Sequence, residues 1–420
     1  MLNFKINSDK IDKIGNFTKE EKNFRLKNLD YFNDTGFPNK KSEDWKFSDL
    51  KAIVSKNFSK LDIQLSKSKK QKVDFIKDFE HNYIIVVNGE LTMSDFKYEE
   101  KSNIILKSFT NDNYPNKKEK NPLINLNHAL SDKGFFLEIK ENYKFKKILV
   151  IYYLFTKDLD ENILNSKNKI KIGKNSELHL LDYFVNDSKK NFFNNVYEDI
   201  VLENSAILKN IYLQNSKSSG YFHKYSKNKL LSGSHYTSFI FPAGLKFNKL
   251  DLEFDLEGEK SECNLQSASF LDGKEHQEIK TRINHLSPNC KSHQKVKNVL
   301  NAESKGVFQG KIFVKDVAQK TDAYQLSKAI LLSESSEFDS KPELEIYADD
   351  VKCSHGSTSG NLDKDSIYYL MTRGLTQLES KQLLVNAFLN EIADIIKSNS
   401  IRNFIKTKLE TQLLNEYKKH

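Results

Sequence analysis

A chain of 420 residues with 38% hydrophobic content is long enough to bury a sizeable core, and its length suggests two or three domains. Only 6 prolines and 15 glycines exclude a collagen-like or linker-rich organisation, while 29 Phe and 18 Tyr supply large apolar faces. The formal charge of +9 comes from 66 basic residues interleaved with 57 acidic ones, which reads as solvated faces and gives no nucleic-acid footprint.

The first 75 or so residues mix Lys-rich helix-like stretches with an ordered segment, Pro38 to Leu50, that holds the only Trp. Ser42 reads as an N-cap, Glu43 and Asp44 as an acidic first turn, and Trp45 as an inward anchor. From about His81 to Asp350 the pattern changes to short alternating runs: Tyr83–Val87, Phe135–Ile139, Ile148–Leu154, Leu178–Leu181, Phe247–Phe254 and Leu344–Ile346. Period-2 alternation between polar turns means strands. Asn175-Ser176, Asn204-Ser205, Gly233-Ser234 and Lys260-Ser261 place a serine about every 27 to 29 residues, the recurrence expected of stacked coils in a β-solenoid. A β-sandwich would also alternate but needs no such recurrence.

After Asp363 the period becomes helical. Ser366 to Gly374 ends on a glycine suited to a C-cap, and Thr376 to Asn399 repeats Leu378, Leu383, Leu384, Ala387, Phe388, Ile392, Ile395 and Ile396 at helical spacing. That stripe packs either on the rest of the chain or on a partner. A last helix is expected from about Ile401 to Tyr417. The domain division is therefore 1–75 helical, 76–362 β-solenoid and 363–420 helical.

Three cysteines, Cys263, Cys290 and Cys353, make no disulfide framework and point to a reducing compartment. No apolar run of about 18 residues and no signal-type leader is present, so a cytoplasmic protein away from the membrane is expected. No phosphate-binding loop with its lysine occurs; Gly356-Ser-Thr-Ser-Gly360 is the closest Gly-rich loop and has none. Nucleophile-elbow, zinc-helix and dinucleotide motifs are also missing. Asp349 and Asp350 would point to opposite faces of an extended chain and make a poor acid–base dyad.

Cys353 and His355, two apart in a strand-like stretch, would share one face and present two ligand-type groups together. A buried thiol and a hydrogen-bonded imidazole are the plainer reading of the same pair. A second group, His276 and His285 to His293 around Cys290, reads as surface or turn residues.

Several segments, in order, resemble the SufD family of Fe–S cluster assembly scaffold subunits. They include Glu43-Asp-Trp-Lys-Phe-Ser-Asp-Leu50, Gly306-Val-Phe-Gln-Gly310, Ala318-Gln-Lys-Thr-Asp-Ala-Tyr-Gln325, Lys341-Pro-Glu-Leu-Glu-Ile346, Asp349-Asp-Val-Lys-Cys-Ser-His-Gly356 and Tyr368-Tyr-Leu-Met-Thr-Arg-Gly374. The resemblance implies a right-handed parallel β-helix between helical termini, acting as a non-enzymatic scaffold beside the paralogue SufB and the ATPase SufC, or as a homodimer in isolation. It implies His355 and Cys353 as candidate ligands of a transient Fe–S cluster at the SufB interface, with no cofactor held tightly by this chain alone; whether the complex carries FAD is left open. SufC would dock on the C-terminal region, for which Tyr368, Tyr369, Arg373, Leu384, Phe388 and Ile392 are the candidate contacts. Ser336 stands near the place where SufB carries a cysteine, and Gly356 where SufB carries a glutamate, which favours SufD over a SufB-like homodimer. A β-solenoid carbohydrate-active enzyme is the alternative from another class.

Overall fold

The computed structural model describes residues 4–63, 71–109, 118–214 and 216–417, and it is a parallel β-solenoid of about eight turns flanked by helices. Each coil contributes one strand to each of two parallel ladders. The first ladder runs from Lys133–Ile139 and Asn162–Ile172 to Lys305–Val314 and Glu337–Ile346. The second runs from Asn82–Val87 and Leu149–Phe155 to Thr321–Leu331 and Val351–Gly360. Five of the six runs of alternation named above lie wholly in strands, and the sixth, Ile148–Leu154, starts one residue before its strand.

The serine recurrence has a structural cause that differs by one residue from the sequence reading. At the corner between the ladders, Asn142, Asn175, Ser205, Gly233, Lys260, Asn289 and Lys320 all hold positive φ. Each backbone N–H in this column donates to a carbonyl in the corner of the next coil, at 2.6–3.3 Å. After the first corner, which is followed by the buried Tyr143, the following residue is small as it turns straight into the lumen: Ser176, Ala206, Ser234, Ser261, Cys290 and Thr321 are all buried. Ser205 therefore belongs to the left-handed column and Ala206 takes the serine's place.

Helices α1 (Asp9–Ile14), α2 (Lys19–Thr35), α3 (Leu50–Asn57) and α4 (Pro122–Leu130) cover the outer face of the first ladder. α4 lies within the stretch read as all β; Asn121 caps it and Pro122 occupies its first turn. Around Trp45 the expectation is half met: Glu43–Trp45 is a single 3₁₀ turn and Ser42 makes no side-chain cap, but the indole is fully buried. Its ring stacks against His223 at 5.6 Å and beneath the Lys249 ammonium at 4.6 Å. Lys249 donates to the Asp44 carbonyl at 2.9 Å and pairs with Glu278, which also takes hydrogen bonds from Ser48 and Gln309. Burial opposes the charge on Glu278, yet Lys249 and these donors hold its carboxyl below the ordinary range.

Helices α5 (Lys364–Thr372), α6 (Gln377–Ala393) and α7 (Asn399–Tyr417) close the C-terminal side. α6 starts with a Thr376–Glu379 capping box and stops at Ala393, short of Asn399. Val385, Leu389, Ile392, Ile396, Phe404 and Leu409 pack on the outer face of the second ladder, against Leu181, Phe239, Phe270 and Val299.

Replacing Lys249 with Ala strands a buried carboxylate. We expect a loss of about 3–5 kcal/mol of stability, read by urea unfolding of the variant; a change below about 1 kcal/mol would show that the pair does not anchor the Trp45 segment.

Candidate functional site

The two ends of the solenoid are unlike. At the N-terminal end, antiparallel strands close the ladders: Glu90–Asp95 pairs with Asn82–Val87, and Ile104–Ser108 with Lys133–Ile139. At the C-terminal end, Glu337–Ile346 and Val351–Gly360 each pair with one strand only. Main-chain groups alternate sides along a parallel strand. Glu337 and Tyr347 donate back to Ser304 and Val314, so the even-numbered residues between them face the open edge. Pro342 belongs to that outward set, where its missing N–H costs the fold nothing. By the same alternation, continued from Asp322 donating to Cys290, the main chains of Cys353 and His355 face the open edge of the other strand.

The thiol and imidazole do share a face, and it is the lumen face. Cys353 lies in register with buried Ala323 and packs against Ile312, Val314 and Ala348. His355 lies in register with buried Gln325, and with no coil beyond it the imidazole is exposed. Burial pushes the Cys353 thiol above its ordinary value, so it is protonated at neutral pH and a weak ligand until a metal displaces the proton. Among the described residues no group of three or more His, Cys, Asp or Glu is placed to hold a metal ion. Near this end Tyr324, Ile346 and Tyr347 are exposed, and the Tyr347 ring packs against Phe313.

Two expectations change here. Gly356–Gly360, read as a loop, is the second half of the last strand. The group around Cys290, read as surface or turn residues, is partly interior: Cys290 is buried against Ser261 and Gly258 and His285 against Ser292, while His276 is half-buried beside Ser48 and His293 is exposed.

The C-terminal candidates divide by exposure. Tyr368 is 70% and Tyr369 57% exposed, with Arg373 stacked on the Tyr369 ring at 5.3 Å. Leu378 and Leu383 continue this apolar surface, and Leu384 and Phe388 are half-buried. Ile392 is corrected: fully buried between α6 and the second ladder, it is unavailable to any partner. Sequence periodicity finds the stripe but not its direction: Leu378, Leu383, Ala387 and Ile395 are its exposed members. A cleft of about 880 Å³ separates this surface from the solenoid corner at Leu331–Glu334, lined also by Ile367, Met371 and Lys381.

These features define a helix-flanked parallel β-solenoid with one closed end and one open end that displays a thiol and an imidazole. Residues 155–388 match the family model for the SufBD core domain of SUF-system FeS cluster assembly, and residues 7–151 match the SufBD N-terminal region. The chain belongs to the SufBD family of iron–sulfur cluster assembly proteins. It is 25% identical to the iron–sulfur cluster assembly protein SufD of Escherichia coli K12, over 90% of both chains. A SufBD family protein of Synechocystis PCC 6803 is 25% identical over 88% of this chain and 86% of its own. The chloroplastic protein ABCI7 of Arabidopsis thaliana is 25% identical over 57% of this chain and 51% of its own. No described helix is long and apolar enough to cross a membrane.

Cys353 is half-buried whereas Cys263 and Cys290 are sealed. In the native protein iodoacetamide should label Cys353 first, slowly at pH 7 and faster as pH rises past 9, because the raised thiol loses its proton late. Equal labelling of all three thiols, or a rate already flat at pH 8, would contradict this burial.

Proposed function

We propose that this chain is a SufD-type scaffold subunit: its open coil pairs with the SufB paralogue, its C-terminal helices bind the SufC ATPase, and the three assemble an Fe–S cluster in the cytoplasm. The observation that carries this reading is the last coil, where an unpaired strand edge and the lumen-facing Cys353 and His355 occur together. The cluster is cargo. Fe–S clusters take four protein ligands as a rule, with thiolate and imidazole both competent. This edge supplies two, so the set is completed when a second chain brings its own, and a mixed, shared set suits a cluster that must later leave. Edge pairing is the physical route to that meeting: outward main-chain groups on Val351–Gly360 accept a partner strand without rebuilding the fold.

The ATPase is placed on the other exposed feature, the α5–α6 surface of Tyr368, Tyr369, Leu378 and Leu383, because an apolar patch of this kind marks a contact. Leu384 and Phe388 support it from beneath.

Co-expression with SufB and SufC from the same source should yield one native species containing all three chains, and His355→Ala in that species should abolish cluster assembly. Recovery of this chain alone, as monomer or homodimer, or full assembly by the variant, would overturn the reading.

Leu383→Glu or Tyr368→Glu should release SufC while leaving thermal stability unchanged, since exposed substitutions shift it by about 0.5 kcal/mol or less. Ile392→Glu should instead undock α6. SufC retained by both surface variants would remove this surface from the interface.

A further inference from the structure

One coil behind His355 the lumen holds a side chain with no assigned task. Gln325 is fully buried, and neither its amide nitrogen nor its amide oxygen has a hydrogen-bond partner. A buried amide left unpaired is destabilising, and a leucine of similar shape would avoid the cost. The surroundings have nevertheless been cleared for it: across the lumen stands Gly310, where a Cβ would collide with the Gln325 amide oxygen. One coil deeper, Gln294 is also buried, but its carbonyl is occupied by the Thr281 hydroxyl at 2.6 Å. Gln325 is therefore the free amide nearest the open end.

Its neighbour in register is His355, whose ring also has no hydrogen-bond partner among the described residues. Strands of a parallel ladder lie about 4.8 Å apart, so in-register side chains on one face stack within reach of each other. Two adjacent unpaired groups, one of them a carbonyl and the other an imidazole, complete each other. We infer that Gln325 is a positioning residue for His355: its amide oxygen, unbonded in the structure and aimed across the lumen at Gly310, turns to accept the ring N–H on the lumen side, leaving the other ring nitrogen with its lone pair toward the open edge. An imidazole that binds a metal through one nitrogen needs an acceptor for the proton on the other, and that acceptor fixes both tautomer and ring orientation. The role rests on the reading of His355 as a cluster ligand; the hydrogen bond itself does not.

The test is Gln325→Leu beside His355→Ala, in the full complex and in the isolated full chain. In the isolated chain with ¹⁵N-labelled histidine, the wild-type His355 ring should show one dominant tautomer and the leucine variant a mixture. In the complex, cluster assembly followed by its visible absorption should fall about 10- to 100-fold, the usual effect of losing an outer partner of a ligand. An unchanged tautomer ratio in the leucine variant would overturn the inference. Normal assembly by Gln325→Leu where His355→Ala is dead would overturn the positioning role alone. Normal assembly by His355→Ala would instead overturn the ligand reading, and the tautomer ratio would still decide the hydrogen bond.

Discussion

A strand in a parallel solenoid satisfies its main chain only through the coils on either side of it. Every interior coil here has two such neighbours, and the N-terminal end is stopped by antiparallel strands. The C-terminal coil has one neighbour and no cap. What makes this end a site is thus a deficit of hydrogen bonding, and the chemistry sits on top of it. Cys353 and His355 occupy lumen positions that in any interior coil would be sealed by the next turn. Pro342 on the companion strand interrupts the outward array once, which leaves Val351–Gly360 as the longer continuous edge.

The flanking helices have a different logic, because each must be held to a sheet face that carries charge. On the first ladder the fastening is a buried ion pair beneath an indole, with Lys249 serving Trp45, the Asp44 carbonyl and Glu278 together. On the second it is a pair of lysines, Lys295 and Lys297, closing on Glu391 of α6, with Lys297 also bonded to the Phe388 carbonyl at 3.0 Å and lying over its ring at 4.2 Å. In both places a lysine uses its stem as apolar filler and its head as the fastener. This explains why Phe388 is only half available at the surface and why Ile392 beside Glu391 lies inward.

Much of this was legible in the residues. The strands were visible because alternation is a local signal, and the coil repeat because small residues follow every corner of the file after the first. The assignment of Ser205 slipped by one because a left-handed corner residue and a small lumen residue are adjacent, and serine suits both. α4 escaped notice since nine residues between long strands leave little periodicity, and because its partner, α2, lies about a hundred positions away. The pairing of Cys353 with His355 followed from period 2 alone. Gln325 could not be found that way: it lies thirty positions before His355, and only the register between coils makes them neighbours. The inward turn of Ile392 was hidden for the same reason, since a helical stripe has a period but no compass.

The corner column also bears on how this chain tolerates insertions and deletions. Its seven members are unevenly spaced in sequence, yet they stack in a single file, each amide bonded to the following corner. Coil circumference is therefore free to vary as long as every turn returns to the file, with the slack taken up in the loops on the far side. An indel there shifts one loop and leaves the register of all later coils intact, whereas one between a corner residue and its strand would turn that strand's lumen side chains to the outside. The thiol and imidazole at the last turn are thus insulated from length changes in the coils before them, and exposed to the loss or gain of a single residue at their own corner.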